Sequence, residues 1–138
     1  MLNFFAPLNN LGIGVHAYNM AKAIEAIGVE VAVFPPFGNV NLQGEDINRW
    51  LSARERFNPK DPSVMIFDPQ FFPHFSGSPR IGFFVGETDG LTPLQLTATK
   101  SLDIVLVPSE WGRRVLALHG VEATVINEGY DPEQFKVQ

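Results

Sequence analysis

Short apolar runs that are nearly continuous, rather than alternating with polar residues, constrain the fold of this chain most strongly. Strands in parallel sheets have this character, because helices cover both of their faces. A strand that faces water on one side would show alternation instead. The runs cover residues 2–6, 29–34, 64–67, 81–85, 104–107 and 124–126.

The segments between these runs have helical periodicity. Gly28 and Gly120 are typical helix-ending residues, and Thr92 and Ser109 are typical N-caps. Residues 67–77 are rich in proline and aromatic residues, so we expect an irregular connection that lines a cleft. The alternation of strand and helix predicts right-handed βαβ units, and therefore an α/β Rossmann-like domain: a parallel β-sheet with helices on both faces. The predicted helices are residues 15–27, 46–57, 93–101 and 110–119.

Composition narrows the class of protein. With 138 residues, 45% of them hydrophobic and 18% charged, the chain has enough apolar material for one globular core. A net charge of −5 argues against binding to nucleic acid, and the absence of cysteine excludes disulfides and thiolate nucleophiles. No apolar stretch approaches the length of a transmembrane segment, and the N-terminal residues lack the basic start of a signal peptide. We therefore expect a single cytoplasmic domain over residues 1–138.

Two glycines follow the first apolar run. They would lie at the carboxyl end of a parallel strand, where such sheets bind their ligands. Gly12 and Gly14 can admit a phosphate to the N-terminus of the first helix, or they can merely permit a tight strand-to-helix turn; both interpretations stay open. With Ala17 they match the pattern G-x-G-x-x-A. That weak match leaves an NAD-type binder as a minor alternative, because no acidic residue follows the second run to bind a ribose hydroxyl. His16, beside the glycines, can reach a ligand there.

The fourth apolar run ends in Glu87, Thr88 and Asp89. Carboxylates at a strand end can accept hydrogen bonds from sugar hydroxyls, or act as acid or base. For Asp89, physical reasoning slightly favours a simpler role in a turn with Gly90, whereas Glu87 stays open. The histidines have no metal-ligand spacing, so we expect no metal site, and no residue can be assigned a catalytic role.

Short motifs in the second half of the chain suggest a family. The segments GETD (86–89), VPSEW (107–111) and EGYD (128–131) occur in that order, with Phe135 after the last of them. Together with GIG (12–14), they resemble the N-terminal domain of GT-B glycosyltransferases of the large retaining family 4, the glycosyl transferases group 1. The likeness covers nearly the whole chain.

The resemblance implies a Rossmann-like domain that faces a second such domain across a cleft. The N-terminal domain receives a sugar or glycan acceptor, and the C-terminal domain holds a nucleotide-sugar donor, with no tightly bound cofactor. Glu87 and Asp89 would then lie near the acceptor, and the two glycines near the donor diphosphate. The residues expected to bind substrates are Gly12, Gly14, His16, Glu87, Thr88 and Asp89, and those expected at the interdomain hinge are Glu128, Gly129 and Asp131.

One departure from the family bears on activity. The family's donor domain carries glutamates in an E-x7-E arrangement, and no pair of glutamates in these 138 residues has that spacing. We therefore expect that the C-terminal donor domain is absent or separate and that the chain alone is inactive. A face normally covered by that domain would favour self-association. The alternative is a freestanding module that binds a sugar, a nucleotide or a protein without catalysis.

Overall fold

Six parallel strands form the sheet that the apolar runs predict. A computed structural model describes residues 1–38, 40–86 and 88–129. Its strands pair in the order β2-β1-β3-β4-β5-β6, and every pairing is parallel. The α/β Rossmann-like fold is thus confirmed. The strands are β1 (Leu2–Phe5), β2 (Val31–Val33), β3 (Ser63–Ile66), β4 (Arg80–Phe83), β5 (Ile104–Val107) and β6 (Thr124–Val125).

Within the described ranges, four α-helices connect the strands, and their ends follow the predicted signals. Ser109 caps the last helix by accepting a hydrogen bond from the N–H of Gly112 at 3.1 Å. Thr92 and Gln95 form a reciprocal capping box at the start of the third helix. Gly28 has a φ of +87°, which suits the left-handed turn after the first helix. The helices are α1 (Gly12–Ala26), α2 (Glu45–Ser52), α3 (Pro93–Lys100) and α4 (Glu110–Leu118).

Two helix boundaries differ from the prediction. α1 begins at Gly12, before the predicted start at residue 15, so both glycines lie in its first turn rather than in a loop. The reason is that the Leu11 carbonyl accepts hydrogen bonds from the N–H groups of Gly14 and Val15, each at 2.9 Å. The second predicted helix is too long as an α-helix, because after α2 the chain tightens into the 3₁₀ helix Ala53–Arg56.

The core lies on both faces of the sheet. On one face, α1 and α2 pack on β1 to β4 through residues such as Phe4, Ala17 and Trp50. On the other face, α3, α4 and the 3₁₀ helix Pro69–His74 cover residues such as Met65 and Val107. The Pro-rich connection thus contains a short 3₁₀ helix and buries aromatic side chains.

Part of the sheet on the α1 side is left uncovered by the described residues. Val105, Val107 and Val125 face α3 and α4, so the alternating positions of β5 and β6 point to the α1 side. Ile104, in β5, and Ile126, directly after β6, follow this alternation and are 40% and 45% exposed. We call this surface the open sheet face.

The strand order reverses direction at β1. From β1 the chain passes to β2 on one side and then to β3 on the other side of β1. Such a reversal leaves a crevice at the carboxyl ends of β1 and β3, because the connections that follow these two strands diverge to opposite faces of the sheet. The topology therefore puts the favoured ligand position beside the loops that follow β1 and β3.

Candidate functional site

A cavity of about 590 Å³ lies at the carboxyl ends of β1, β3 and β4. The start of α1 forms one side of it, and the segments that follow β3 and β4 form the other sides. It coincides with the reversal of strand order, so we call it the switch-point cavity. Gly12 contributes accessible backbone to the lining. The lining residues with polar side chains include His16, Asp68, Thr88, Gln95 and Glu128.

Gly12 presents the start of α1 to this cavity. A Cβ added at Gly12 would meet no atom within 4 Å, so the backbone here is open. The preceding residue, Leu11, makes no side-chain cap, and the first turn of α1 contains no acidic side chain. The first amide groups of a helix have no intrahelical acceptor, and the helix dipole favours an anion beside them. The start of α1 can therefore bind a phosphate or carboxylate.

Gly14 has a different role. A Cβ at this position would lie 2.3 Å from Asn9 Oδ1 and 2.4 Å from the Asn9 carbonyl oxygen. Asn9 is 4% exposed, and its Oδ1 accepts a hydrogen bond from the N–H of Leu11 at 3.0 Å. Gly14 does not line the cavity. Of the two interpretations of these glycines, the geometry favours the tight strand-to-helix turn for Gly14 and leaves Gly12 available to a ligand.

His16 and Glu128 stand between two cavities. Both line the switch-point cavity and also a second cavity of about 420 Å³, which lies between α1 and the segment after β6. The Nδ1 atom of His16 is 3.8 Å from Glu128 Oε1, and its ring lies 5.3 Å from that of Phe83. Its Nε2 atom is buried and has no hydrogen-bond partner among the described residues. A buried imidazole nitrogen can donate or accept a hydrogen bond, so a ligand hydroxyl could satisfy it.

Asp68 and Gln95 supply fixed hydrogen-bonding groups on the opposite wall. Asp68 Oδ1 accepts from the N–H of Gln70 at 3.0 Å and from Gln95 Nε2 at 3.4 Å. Gln95 is held as well by its capping box with Thr92. Neither residue is among those that the sequence predicts to bind substrates. Asp68 stands directly after an apolar run, which is a signal in the sequence. Gln95 reaches the cavity only through the packing of α3.

The segment after β4 divides its residues between the cavity and solvent. Thr88 lines the switch-point cavity, and its hydroxyl donates to the Gly90 carbonyl at 2.9 Å. Asp89 is exposed and does not line the cavity. Gly129 lines the second cavity, beside Glu128. The remaining predicted residues, Glu87 and Asp131, lie outside the described residues, as does Phe135.

The electrostatic character of the cavity follows from its lining. Its described lining contains the carboxylates of Asp68 and Glu128 but no lysine or arginine. Within the described ranges, no three His, Asp or Glu side chains come close enough together to hold a metal ion. The arrangement can accept hydrogen bonds from hydroxyls and can place an anion only at the start of α1.

Comparisons with protein-family models, with curated proteins and with solved structures found no match. The likeness to GT-B glycosyltransferases therefore rests on the short motifs alone. In the part of the chain that the structure describes, no helix has the length and apolar character needed to cross a bilayer.

Proposed function

We propose that this chain is the acceptor-side domain of a nucleotide-sugar-dependent retaining glycosyltransferase and that it does not transfer sugar by itself. The observation that supports this proposal is the switch-point cavity, where an uncapped helix start and several hydroxyl-binding side chains meet. A sugar phosphate carries both of the chemistries that these groups recognise. The volume of about 590 Å³ lies within the range of small-molecule sites, roughly 300–1,000 Å³.

The proposed roles follow the position of each group. The amide of Gly12 would contact the diphosphate of the donor, while His16, Asp68 and Gln95 would bind hydroxyls of a sugar or glycan acceptor. Glu128 lies beside His16, with its carboxylate 3.8 Å from Nδ1, and would accept a hydrogen bond from a further ligand hydroxyl. Roles for Glu87 and Asp131 rest on the motif resemblance alone.

The proposal that the chain is inactive alone is supported by the charge of the cavity. A nucleotide diphosphate is strongly anionic, and the described lining offers it no cationic side chain. Two carboxylates in the lining oppose its entry. A donor-binding domain, joined to this one or supplied by a separate chain, would provide the missing cations. The domain alone should therefore bind nucleotide sugars weakly and turn none over.

The alternative is a module that binds a sugar or nucleotide without catalysis. One observation favours it: His16 and Glu128 are 3.8 Å apart, beyond hydrogen-bonding distance, so they are not arranged as a coupled acid–base pair. The NAD-type alternative is weaker. Asn9 occupies the space beside Gly14, where the second glycine of that fingerprint would admit the pyrophosphate.

A proline substitution at Gly12 gives a sharp test of the ligand position. Gly12 is the first residue of α1, where proline is favoured, and Leu11 is extended (φ −81°, ψ 159°), as a residue before proline must be. Gly12→Pro therefore preserves the helix while it removes one amide donor. Glu110→Pro is the matched control, because Glu110 begins α4 after an equally extended Ser109 and does not line the cavity.

The measurement is an NMR titration of the ¹⁵N-labelled protein with UDP-, GDP- and ADP-sugars and with free hexoses. We expect weak, saturable shifts in the amides of Gly12 and Ile13, about threefold or more weaker affinity in Gly12→Pro, and no change in Glu110→Pro. Shifts confined to hexoses would support the binding-module alternative. Sugar transfer by the purified chain alone, or no response near Gly12 to any nucleotide sugar, would contradict the proposal.

A further inference from the structure

A second site is indicated by the conformation of Phe37. This residue adopts φ +57° and ψ 20°, a left-handed conformation that is unfavourable for a bulky side chain. The residue is 78% exposed, so burial in the core does not compensate for the strain. Strained backbone of this kind persists where the surrounding structure enforces it, and it concentrates at ligand sites.

Phe37 borders a cavity of about 370 Å³ at the carboxyl ends of β1 and β2. The cavity lies on the face of the sheet opposite α1, since Phe5 and Met65 point to that face. We call it the aromatic pocket. Its side-chain lining includes Phe5, Phe34, Phe37, Met65, Phe71 and His74.

Two aromatic groups form the walls of this pocket. Phe5 and Phe34 stack with ring centroids 4.8 Å apart and an interplanar angle of 18°. Phe37 packs edge-on against Phe71 at 5.3 Å, and Phe71 contacts Phe67 at 5.1 Å. The strained residue therefore belongs to one wall of the pocket.

We propose that the aromatic pocket binds a neutral, planar aromatic group of one or two rings. An apolar cavity of about 150 Å³ accommodates benzene. A pocket of about 370 Å³ is therefore large enough for two fused rings. Phenylalanine faces and edges favour offset-stacked or edge-on partners, which a planar ring provides and a bulky aliphatic group does not.

The charge of the lining selects a neutral ligand. Apart from His74, no titratable side chain among the described residues lines the pocket, so this part of the chain offers neither a carboxylate nor a lysine or arginine to pair with a charged ligand. His74 is exposed at the rim and can exchange one hydrogen bond with a hydroxyl on the ring. The site is separate from the switch-point cavity, and it does not depend on the proposed transferase function.

The probe is 2-naphthol, a neutral two-ring compound with one hydroxyl. Decahydro-2-naphthol matches its carbon skeleton without the planar rings, and tetramethylammonium tests whether the pocket is a cation cage. We expect saturable binding of 2-naphthol by NMR, with shifts at Phe37, Phe71 and His74, and at least fivefold weaker binding of the other two probes. Equal binding of the decahydro compound, tighter binding of tetramethylammonium, or no saturation would overturn the proposal.

Two substitutions of Phe37 distinguish the contribution of its ring to ligand binding from its effect on the stability of the fold. Asparagine tolerates the left-handed conformation, so Phe37→Asn should keep or raise the Tm while it weakens 2-naphthol binding at least fivefold. Phe37→Tyr retains a ring and should bind within about twofold of the original protein. Leu118→Asn is the control, because Leu118 is 83% exposed at the end of α4 and does not line the pocket. Unchanged binding in a folded Phe37→Asn variant would refute the assignment.

Discussion

Gly14 of α1 and Asn9 of the preceding loop are packed so closely that no side chain fits between them. An added Cβ would lie 2.3 Å from Asn9 Oδ1 and 2.7 Å from the Asn9 backbone nitrogen. Contacts shorter than 3.0 Å force a shift of the backbone here, because Asn9 is buried and hydrogen-bonded. This contact fixes the angle at which the chain enters α1.

We expect Gly14→Ala to lower the free energy of unfolding by about 2 kcal/mol, as overpacking at rigid sites does. Gly12→Ala should leave stability unchanged or raise it slightly, since a Cβ there meets nothing within 4 Å. Urea unfolding of both variants measures the difference. Equal stability of the two variants would show that the contact can relax freely.

Arg80 anchors the 3₁₀ helix that carries residues of both the switch-point cavity and the aromatic pocket. Its guanidinium donates to the carbonyl of Phe72 and, at 3.1 Å, to that of Ser101, and it lies 5.0 Å from the ring centre of Phe75. Lysine cannot span two carbonyls in this way. Arg80→Lys should therefore destabilise the protein by about 1–2 kcal/mol and speed amide exchange in residues 69–74.

The control for this prediction is Arg113→Lys. Arg113 pairs with Glu110 on the exposed surface of α4, where the change should cost less than about 0.5 kcal/mol. Hydrogen–deuterium exchange with mass spectrometry, combined with urea unfolding, gives both readouts. If the two substitutions had the same effect on residues 69–74, Arg80 would not be the anchor.

Acid should weaken the ion pair that joins α1 and α2. Arg49 donates two hydrogen bonds to the Glu25 carboxylate, at 2.9 and 2.7 Å, and these lower the pKa of Glu25 below its ordinary value of 4.5. A lowered folded-state pKa contributes stability above the unfolded-state pKa, and this contribution disappears as the pH falls through the folded-state value. Both side chains are partly exposed, so solvent screens the pair and we expect only a small contribution to stability.

The measurement is the free energy of unfolding between about pH 7 and pH 3 for the original protein and for Glu25→Gln. The difference between the two should shrink as the pH falls below 4.5 and should also shrink in high salt. A difference that stayed constant over this pH range would mean that the ion pair contributes no pH-dependent stability.

The open sheet face should promote self-association in the isolated domain. Ile104 and Ile126 present exposed apolar side chains there, and exposed apolar surface favours association. Ile126→Glu should shift the sedimentation coefficient towards that of a monomer. Leu118→Glu, on α4, replaces a more exposed apolar residue away from this face and should leave association unchanged. A monomeric original protein at high concentration would contradict the prediction.

The sequence predicted the elements of the fold better than their arrangement. All six apolar runs form strands and all four periodic segments form helices. Burial on both faces requires continuous apolar residues, and helix ends require particular capping residues, so both can be recognised in the sequence. The position of β1 between β2 and β3 leaves no such mark, since neighbours in a parallel sheet are distant in sequence. The early start of α1 was missed because glycine's low helix propensity hides it.

The candidate site was predicted in part. Gly12, His16, Thr88 and Glu128 do line one cavity, because they follow strands whose carboxyl ends meet at one edge of the sheet. Asp89 is exposed to solvent and does not line the cavity. Which residues of this turn reach the cavity depends on the directions of their side chains, which the sequence does not reveal. The aromatic pocket could not be predicted, because it requires residues 34–37 and 71–74 to converge from separate connections.

The position of β1 between β2 and β3 also sets the order in which the sheet can form during synthesis. β1 leaves the ribosome before its partners on either edge, and Asn3 and Ser63, which face each other across β1 and β3, are 60 residues apart in sequence. At about 5–20 residues per second, the second edge waits several seconds for its partner. During that interval Phe4 and Phe5 have no complete sheet to enter, so their apolar side chains stay exposed until β3 is made.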